Sequence, residues 1–307
     1  MGASTEQTTT AVLMALDAAA VDVLGALERA GARPVLLKGP SIARWLYDQP
    51  GERVYVDIDV LVAPDAAPTA SNTLQTIGFS YVVESWNSSV WVRRRSGVNV
   101  DLHTALLGIG LAPAPAFDAL TRSIASFELD RGAVPVLETR ARALHIVLHA
   151  AQHGAWERTS LEDLRRALER LPDEIWADAA ALAAEVDATT AFAAGLRLLP
   201  KGANLAERLG LSTALTTLVA MRAATAPVVS EGLMSLAATP GLVAKMRLIA
   251  REVAPTSAYL RTHFPFARRG RLGLALARVW RPIWLLLHLG PALLAIRRAR
   301  RASRGSR

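Results

Sequence analysis

The chain has 307 residues, of which 51% are hydrophobic and 20% charged, a composition typical of a folded protein with one to three domains. Cysteine is absent, which excludes disulfides, thiolate metal sites and cysteine nucleophiles and is consistent with a cytoplasmic protein. The formal net charge of +8 arises at one end, because residues 253–307 contain 12 arginines and no acidic residue. The first ten residues lack a basic region followed by an apolar one, so we expect no secretory signal.

The sequence up to residue 47 predicts a helix, a short buried strand and a second helix that follows a glycine turn. Apolar residues recur at helical spacing over residues 9–32, and the apolar run at 35–37 fits a buried strand. The next residues are Lys38-Gly39-Pro40-Ser41, and proline suits the first turn of a helix. Backbone N–H groups at such a turn can bind phosphate, and a neighbouring lysine strengthens the site. Turns of this kind are also common as simple connections, so both interpretations stay open.

Residues 54–62 read VYVDIDVLV and predict an acidic strand. Side chains alternate along a strand, so Asp57 and Asp59 project from one face while Val56, Ile58 and Val60 point into a core. Two neighbouring buried carboxylates are costly unless a positive charge lies between them, and the first expectation is Mg²⁺. An exposed edge strand with two solvated acids is the alternative.

The following residues predict a helix and a strand meander. Residues 64–78 fit a helix that ends at a glycine, and residues 79–84, 90–94 and 98–106 fit strands. The last strand reads VNVDLHTAL and contains Asp101 and His103. The order of elements predicts an α+β sheet with helices on one face, where Asp101 can complete the acidic site.

These motifs, in this order, resemble the uncharacterised bacterial nucleotidyltransferase family of the DNA polymerase β nucleotidyltransferase superfamily. The resemblance covers residues 34–106, and Pro40-Ser41 departs from the small residues usual in the family. It implies a polymerase-β-type nucleotidyltransferase domain, with a mixed sheet and helices, followed by a mainly α-helical domain. The matching positions are Lys38-Gly39, Tyr47, Pro50-Gly51, Arg53, Asp57-Ile58-Asp59-Val60-Leu61-Val62 and Asp101-Leu102-His103.

The resemblance implies transfer of a nucleoside monophosphate from a nucleoside triphosphate to an acceptor hydroxyl, with release of pyrophosphate. Its cofactor would be two Mg²⁺ ions, with Mn²⁺ as the alternative metal. ATP is the default nucleotide, and the acceptor is a small molecule or peptide. The alternatives are a non-catalytic nucleotide-binding accessory protein and a toxin- or defence-type enzyme that acts on tRNA or protein. The implied catalytic and metal residues are Asp57, Asp59 and Asp101, and the implied nucleotide-binding residues are Lys38, Gly39, Ser41 and Arg53.

After residue 110 the sequence is mainly helical. Residues 111–115 predict a proline-rich connector and 134–137 a last strand. His145, His149 and His153 are spaced four apart on one face of a predicted helix. Two such histidines can hold zinc, but the zinc-protease motif needs a glutamate next to the first one, where this chain has Ala150, and no third ligand is evident. The resemblance instead places His103, His149 and His153 in the substrate cleft, with packed helix histidines as the alternative. Further helices are predicted over 174–186, 189–199, 203–209, 213–222 and 240–251.

The C-terminal segment combines an apolar stretch with arginines. Residues 280–296 are apolar but interrupted, and the unbroken part is shorter than the ~20 residues of a membrane span. Six arginines follow in residues 297–307. The alternatives are a helix packed on the protein, a segment in contact with an anionic membrane surface, and a tail that contacts nucleic acid. We therefore expect a cytoplasmic protein or one peripheral to the membrane.

The sequence predicts four segments. It contains no pattern that indicates the oligomeric state. These segments are an N-terminal helix that packs on the core (1–33), the nucleotidyltransferase domain (34–137), an α-helical domain (138–252) and the arginine-rich C-terminal segment (253–307).

Overall fold

The computed structural model describes residues 2–49, 51–85, 87–214, 221, 228–239 and 241–305. The chain divides into two compact units, Met1–Thr213 and Ala214–Arg307. Pro50 of the predicted turn and most of the helix predicted over 213–222 lie outside the described residues. The division into four segments stays a prediction.

The first unit consists of helices and one mixed sheet. The helices are α1 (Gly2–Arg29), α2 (Pro40–Leu46), α3 (Ala67–Thr76), α4 (Pro113–Leu120), α5 (Thr139–His153), α6 (Arg158–Arg170), α7 (Asp173–Glu185), α8 (Thr189–Leu196) and α9 (Pro200–Arg208). The strands are β1 (Val35–Leu36), β2 (Asp57–Leu61), β3 (Ser80–Glu84), β4 (Ser88–Arg93), β5 (Val98–His103), β6 (Ile124–Leu129) and β7 (Gly132–Leu137).

The seven strands are ordered β3-β4-β5-β2-β1-β7-β6. Strand β2 pairs in parallel with β5, and β1 pairs in parallel with β7, whereas the other neighbours are antiparallel. The helices α5 to α9 follow the sheet in the chain. This architecture confirms the predicted α+β class, a mixed sheet with helices followed by a mainly helical part.

One face of the central strands packs into the core beneath α1 and α3. The buried sheet residues include Ile58, Val60, Val100 and Leu102, which form one hydrophobic cluster with apolar residues of the two helices. Val56 is 67% exposed, so its predicted inward position is wrong: the strand begins one residue later, at Asp57. Because side chains alternate, burial of this apolar face directs the aspartates of β2 and β5 to the opposite face.

Two elements of the first unit differ from the sequence expectation. The predicted connector over 111–115 is partly wrong, because α4 begins at Pro113, whose missing N–H costs nothing at a helix start. Strand β6 is not predicted. It pairs with β7 at the edge of the sheet, and five of its six residues are exposed or half-buried, so its apolar pattern is weak.

The described part of the second unit is helical. Its elements are α10 (Val228–Ala238), α11 (Leu242–Val253), α12 (Ser257–His263) and α13 (Gly270–Gly305). Helix α13 continues through Pro282 and Pro291 and is longer than the apolar stretch predicted at 280–296.

Among the described residues, two helical segments are long and apolar enough to cross a membrane, judged by length and composition alone. They are Thr9–Arg29, which is 44% buried, and Gly270–Arg301, which is 17% buried. The first belongs to α1, whose buried side is part of the core of the first unit. The second leaves most of its surface exposed.

Candidate active site

The parallel pairing of β2 with β5 brings the predicted acidic residues together. Asp59 lies directly opposite Asp101, and Leu61 lies opposite His103. Residues that pair across a ladder share a face, and alternate residues of one strand do as well, so Asp57, Asp59, Asp101 and His103 all project from the face opposite the core. The predicted convergence of the acidic side chains, from two stretches more than forty residues apart, is present.

Lys38 and His103 contact the central carboxylate of this group. The Nζ atom of Lys38 lies 2.9 Å from Oδ1 of Asp59, which is buried. The Nε2 atom of His103 lies 3.1 Å from the same oxygen and 3.5 Å from Oδ2 of Asp101. His103, at the end of β5, therefore bridges the two paired aspartates.

The pKa values of the acidic residues follow from these contacts. Burial acts to raise the pKa of Asp59, but the charge of Lys38 and the hydrogen bond from His103 outweigh it, so the pKa is lowered. For Asp57, burial and then the charge of Asp59 raise the pKa, and Lys38 offsets only part of this. Burial lowers the pKa of Lys38, but the charges of Asp59, Asp57 and Asp101 and a hydrogen bond to Asp59 raise it overall. Asp59 is thus held ionised, whereas the negative charge of the neighbouring Asp57 is only partly balanced by Lys38.

The donor set fits a divalent cation. One ligand atom from each of Asp59, Asp101 and His103 lies within 4.8 Å of the others. Oδ1 of Asp101 is buried without a hydrogen-bond partner among the described residues, which is costly unless an unseen group binds it. Three carboxylates face one lysine, so the face carries excess negative charge, and oxygen ligands of this kind suit Mg²⁺ or Mn²⁺.

The turn between β1 and α2 lies beside the acidic residues. The N–H of Leu37 donates to the carbonyl of Asp59 at 2.9 Å, which fixes the turn to β2. Gly39 has a φ of 66°, a left-handed conformation that a side chain would strain. The hydroxyl of Ser41 is buried and donates to the carbonyl of Leu37 at 3.0 Å, so it stabilises the turn itself. Its predicted contact with phosphate stays a prediction.

The structure pairs Arg53 with a carboxylate that the sequence did not assign to it. Nε of Arg53 donates to both oxygens of Asp163 at 2.8 and 3.0 Å, and Nη2 donates to Oδ2 at 2.8 Å. The hydroxyl of Tyr47 donates to Asp163 at 2.7 Å. All three side chains are buried, and they tie the segment before β2 to α6. Tyr47 and Arg53 match the family pattern in the sequence. Their shared partner, Asp163, could not be identified from the sequence because it lies 110 residues beyond Arg53.

The histidines of α5 lie on the lysine side of the site. Nε2 of His149 is 3.5 Å from Nζ of Lys38, and the ring centroids of His149 and His153 are 4.6 Å apart. His145, which was not predicted as a site residue, lines a small pocket together with Lys38, His149 and Asp163. Burial, followed by the charge of Lys38, lowers the pKa of His145 to about 3 and that of His149 well below its ordinary value. Neutral imidazoles therefore border the cleft.

Comparison with solved structures gives low similarities. The crystal structure of ANT(2'')-Ia in complex with adenylyl-2''-tobramycin has 14% identity and a TM-score of 0.38, covering 53% of this chain and 94% of that one. The solution structure of the antibiotic-resistance factor ANT(2'')-Ia has 16% identity and a TM-score of 0.37, covering 60% and 95%. An antigenic nucleotidyltransferase-like protein from Paracoccidioides brasiliensis has 13% identity and a TM-score of 0.36, covering 60% and 93%. Similarities at this level carry no argument about the site.

A search of curated proteins found no match. A family model described as "uncharacterised nucleotidyltransferase" matches residues 3–202, which include every site residue described above. The match spans most of the first unit. The chain therefore belongs to this family of uncharacterised nucleotidyltransferases and is a nucleotidyltransferase.

Proposed function

We propose that the enzyme transfers a nucleoside monophosphate from a nucleoside triphosphate to an acceptor hydroxyl in a reaction that depends on Mg²⁺. The observation that carries this proposal is the direct pairing of Asp59 with Asp101 across parallel strands, with Asp57 on the same face. A bond forms between the acceptor oxygen and the α-phosphorus, the bond from that phosphorus to the bridging oxygen breaks, and pyrophosphate leaves.

Asp57, Asp59 and Asp101 would hold the metal. When bound, Mg²⁺ supplies charge stabilisation for the triphosphate and lowers the pKa of the acceptor hydroxyl. The carboxylate of Asp101 accepts the proton of the acceptor hydroxyl. Ionised Asp59, held by Lys38, supplies a fixed negative ligand.

The turn after β1 would bind the departing phosphates. Lys38 is the cation nearest to the aspartates and neutralises charge that develops on pyrophosphate. The backbone at Gly39 lies beside the carbonyl of Asp57, at the same end of the site. Arg53 takes a positioning role, because two of its nitrogens donate to Asp163.

Replacement of Asp59 by Asn tests the proposal. The full chain is incubated with each α-labelled nucleoside triphosphate, Mg²⁺ and a cell extract as the source of acceptor. Transfer is then followed as labelled small molecule, RNA or protein, together with released pyrophosphate. We expect Asp59→Asn to reduce transfer by about 10²–10³-fold. The change removes the negative charge of the central metal ligand, which is also the ion-pair partner of Lys38.

The matched control is Asp65→Asn, which alters an exposed aspartate four residues beyond β2. Its transfer rate should equal that of the wild type. Undiminished transfer in Asp59→Asn would disprove the metal role. Binding of nucleotide without pyrophosphate release in any extract would favour the accessory-protein alternative, and labelled RNA or protein would identify a toxin- or defence-type acceptor.

A further inference from the structure

Helix α13 has one buried face and one exposed apolar face. Leu274, Ala277 and Ile296 are buried in hydrophobic clusters of the second unit, and Ala292 on the same face is buried. On the opposite face, six large apolar residues recur at spacings of three, four or eight, and Leu272 and Leu286 are 82% and 67% exposed. We call these residues the apolar stripe: Leu272, Leu276, Val279, Ile283, Leu286 and Leu294.

The apolar stripe is too large to be ordinary surface. It extends over 22 residue steps, or about 33 Å of helix. A second exposed stripe lies on α11, where Leu242, Met246, Ile249 and Val253 also follow helical spacing. Contiguous apolar surface of this extent marks a site of interaction with a protein or a membrane.

The charges of the same unit indicate which partner it binds. Residues 214–307 contain 16 lysines and arginines but two acidic residues, Glu231 and Glu252, and Glu252 is ion-paired at 2.9 Å with the buried Arg281. Arg297, Arg298 and Arg301 are exposed in the last turns of α13, just beyond the apolar stripe. Two copies of so basic a surface would repel each other, whereas an acidic surface would be attracted.

We propose that the second unit docks on an anionic lipid bilayer. The apolar stripe lies at the boundary between headgroups and acyl chains, and the terminal arginines contact acidic headgroups. Apolar burial and attraction to anionic lipid together are the two contributions that hold interfacial helices on membranes. Nucleic acid would satisfy the arginines but would leave the apolar stripe in water.

The test is sedimentation of the full chain with vesicles of phosphatidylcholine alone or of phosphatidylcholine mixed with phosphatidylglycerol. We expect binding to the anionic vesicles that weakens in high salt, and much weaker binding to neutral ones. The double variant Ile283→Glu with Leu286→Glu should lose binding by about 10²-fold or more, because two apolar side chains that contribute to burial are replaced by charged ones. Unchanged helical content and thermal midpoint verify that this variant folds.

Two matched sets of variants separate the contributions. Val12→Glu with Met14→Glu alters exposed apolar residues of α1 and should leave vesicle binding unchanged. Arg297→Gln, Arg298→Gln and Arg301→Gln together should weaken anionic binding by about 10²-fold, whereas the same three changes to Lys should preserve it.

Several results would overturn the proposal. Equal binding to neutral vesicles, or no binding at all, would exclude recognition of anionic lipid. Resistance to alkaline carbonate extraction would indicate a spanning helix. If Ile283→Glu with Leu286→Glu abolishes self-association but keeps vesicle binding, the apolar stripe is a contact with a second copy. If the full chain binds a nucleic acid duplex and this double variant binds it equally well, the arginines contact nucleic acid.

Discussion

Lys38 is the residue on which the charge balance of the acidic face depends. Its Nζ atom contacts Oδ1 of Asp59 and lies beside His149, so the same ammonium group borders both the carboxylates and the α5 histidines. It is one of three lysines in the chain. This partly buried lysine has a raised pKa, so it is charged throughout the physiological range, as a phosphate-binding role requires.

Replacement of Lys38 by Met should therefore impair transfer without preventing folding. We expect about a 10²-fold loss in kcat/KM for the nucleoside triphosphate, because the leaving pyrophosphate loses its nearest cation. Steady-state kinetics of the proposed transfer measures this loss. Lys201→Met, at an exposed position of α9, is the control, and equal rates in the two variants would remove Lys38 from the reaction.

A second residue-scale prediction concerns His145, whose pKa is lowered to about 3 by burial and then by the charge of Lys38. Between pH 6.5 and 3 the unfolded chain binds a proton at this position and the folded chain does not. The contribution of His145 to the free energy of unfolding is therefore fully present above pH 6.5. It is lost as the pH falls towards 3, with a slope of about 1.4 kcal/mol per pH unit. Denaturant unfolding at pH 6.5, 6 and 5 measures that slope.

The variant His145→Leu should reduce that slope, because the titrating group is gone. His149 has a lowered pKa as well, so part of the slope remains. Parallel curves for wild type and variant would show that His145 is protonated in the folded chain.

Local pattern predicts residues that act near each other in the chain and misses those that act across it. Asp57 and Asp59 lie on one strand, and the alternation of side chains places them without further information. Asp101 depends on one strand pairing, which the order of elements suggests. Asp163 belongs to a helix and pairs with Arg53, and no local pattern specifies that contact.

At the scale of elements, the buried Arg53–Asp163 pair joins the segment before β2 to α6. Breaking one partner leaves the other charge buried and unpaired. We expect Asp163→Asn to lower the free energy of unfolding by about 3–5 kcal/mol, and the loss of alignment of β2 to lower transfer as well. Denaturant unfolding and the transfer assay on the same preparation measure both effects.

A neighbouring ion pair between the same two regions provides the control. Nη2 of Arg170 contacts Asp48 at 2.6 Å, but Asp48 is exposed. Asp48→Asn should change stability little, because solvent screens such a pair. If both variants unfold alike, the buried pair has no special role in holding α6.

Elements with strong apolar alternation were predictable, and marginal ones were not. Strand β5 begins at its predicted first residue, Val98, because its buried residues alternate clearly, although it ends at His103, three residues before the predicted limit. Strand β6 is an edge strand with mostly exposed positions, and α4 begins with the prolines that suggested a connector. In both, tertiary contacts decide the structure.

For the whole molecule, the two units differ in composition and in the functions they support. The first unit contains the sheet, every site residue and the family match over 3–202. The second contains the arginine-rich end and the exposed apolar stripe. Chemistry in one unit and localisation in the other would allow an enzyme to act on an acceptor held near a membrane.

This separation predicts that a fragment of residues 1–213 folds and transfers nucleotide by itself. Every described hydrogen bond and ion pair of Lys38, Arg53, Asp59 and His103 joins residues of the first unit, so removal of the second unit breaks none of them. With a soluble acceptor, kcat/KM of the fragment should lie within about twofold of the full chain, because distant parts contribute nearly independently. Vesicle binding should be absent. The fragment with Asp59→Asn is the inactive control, and a fragment that unfolds cooperatively yet lacks transfer would show that the second unit completes the site.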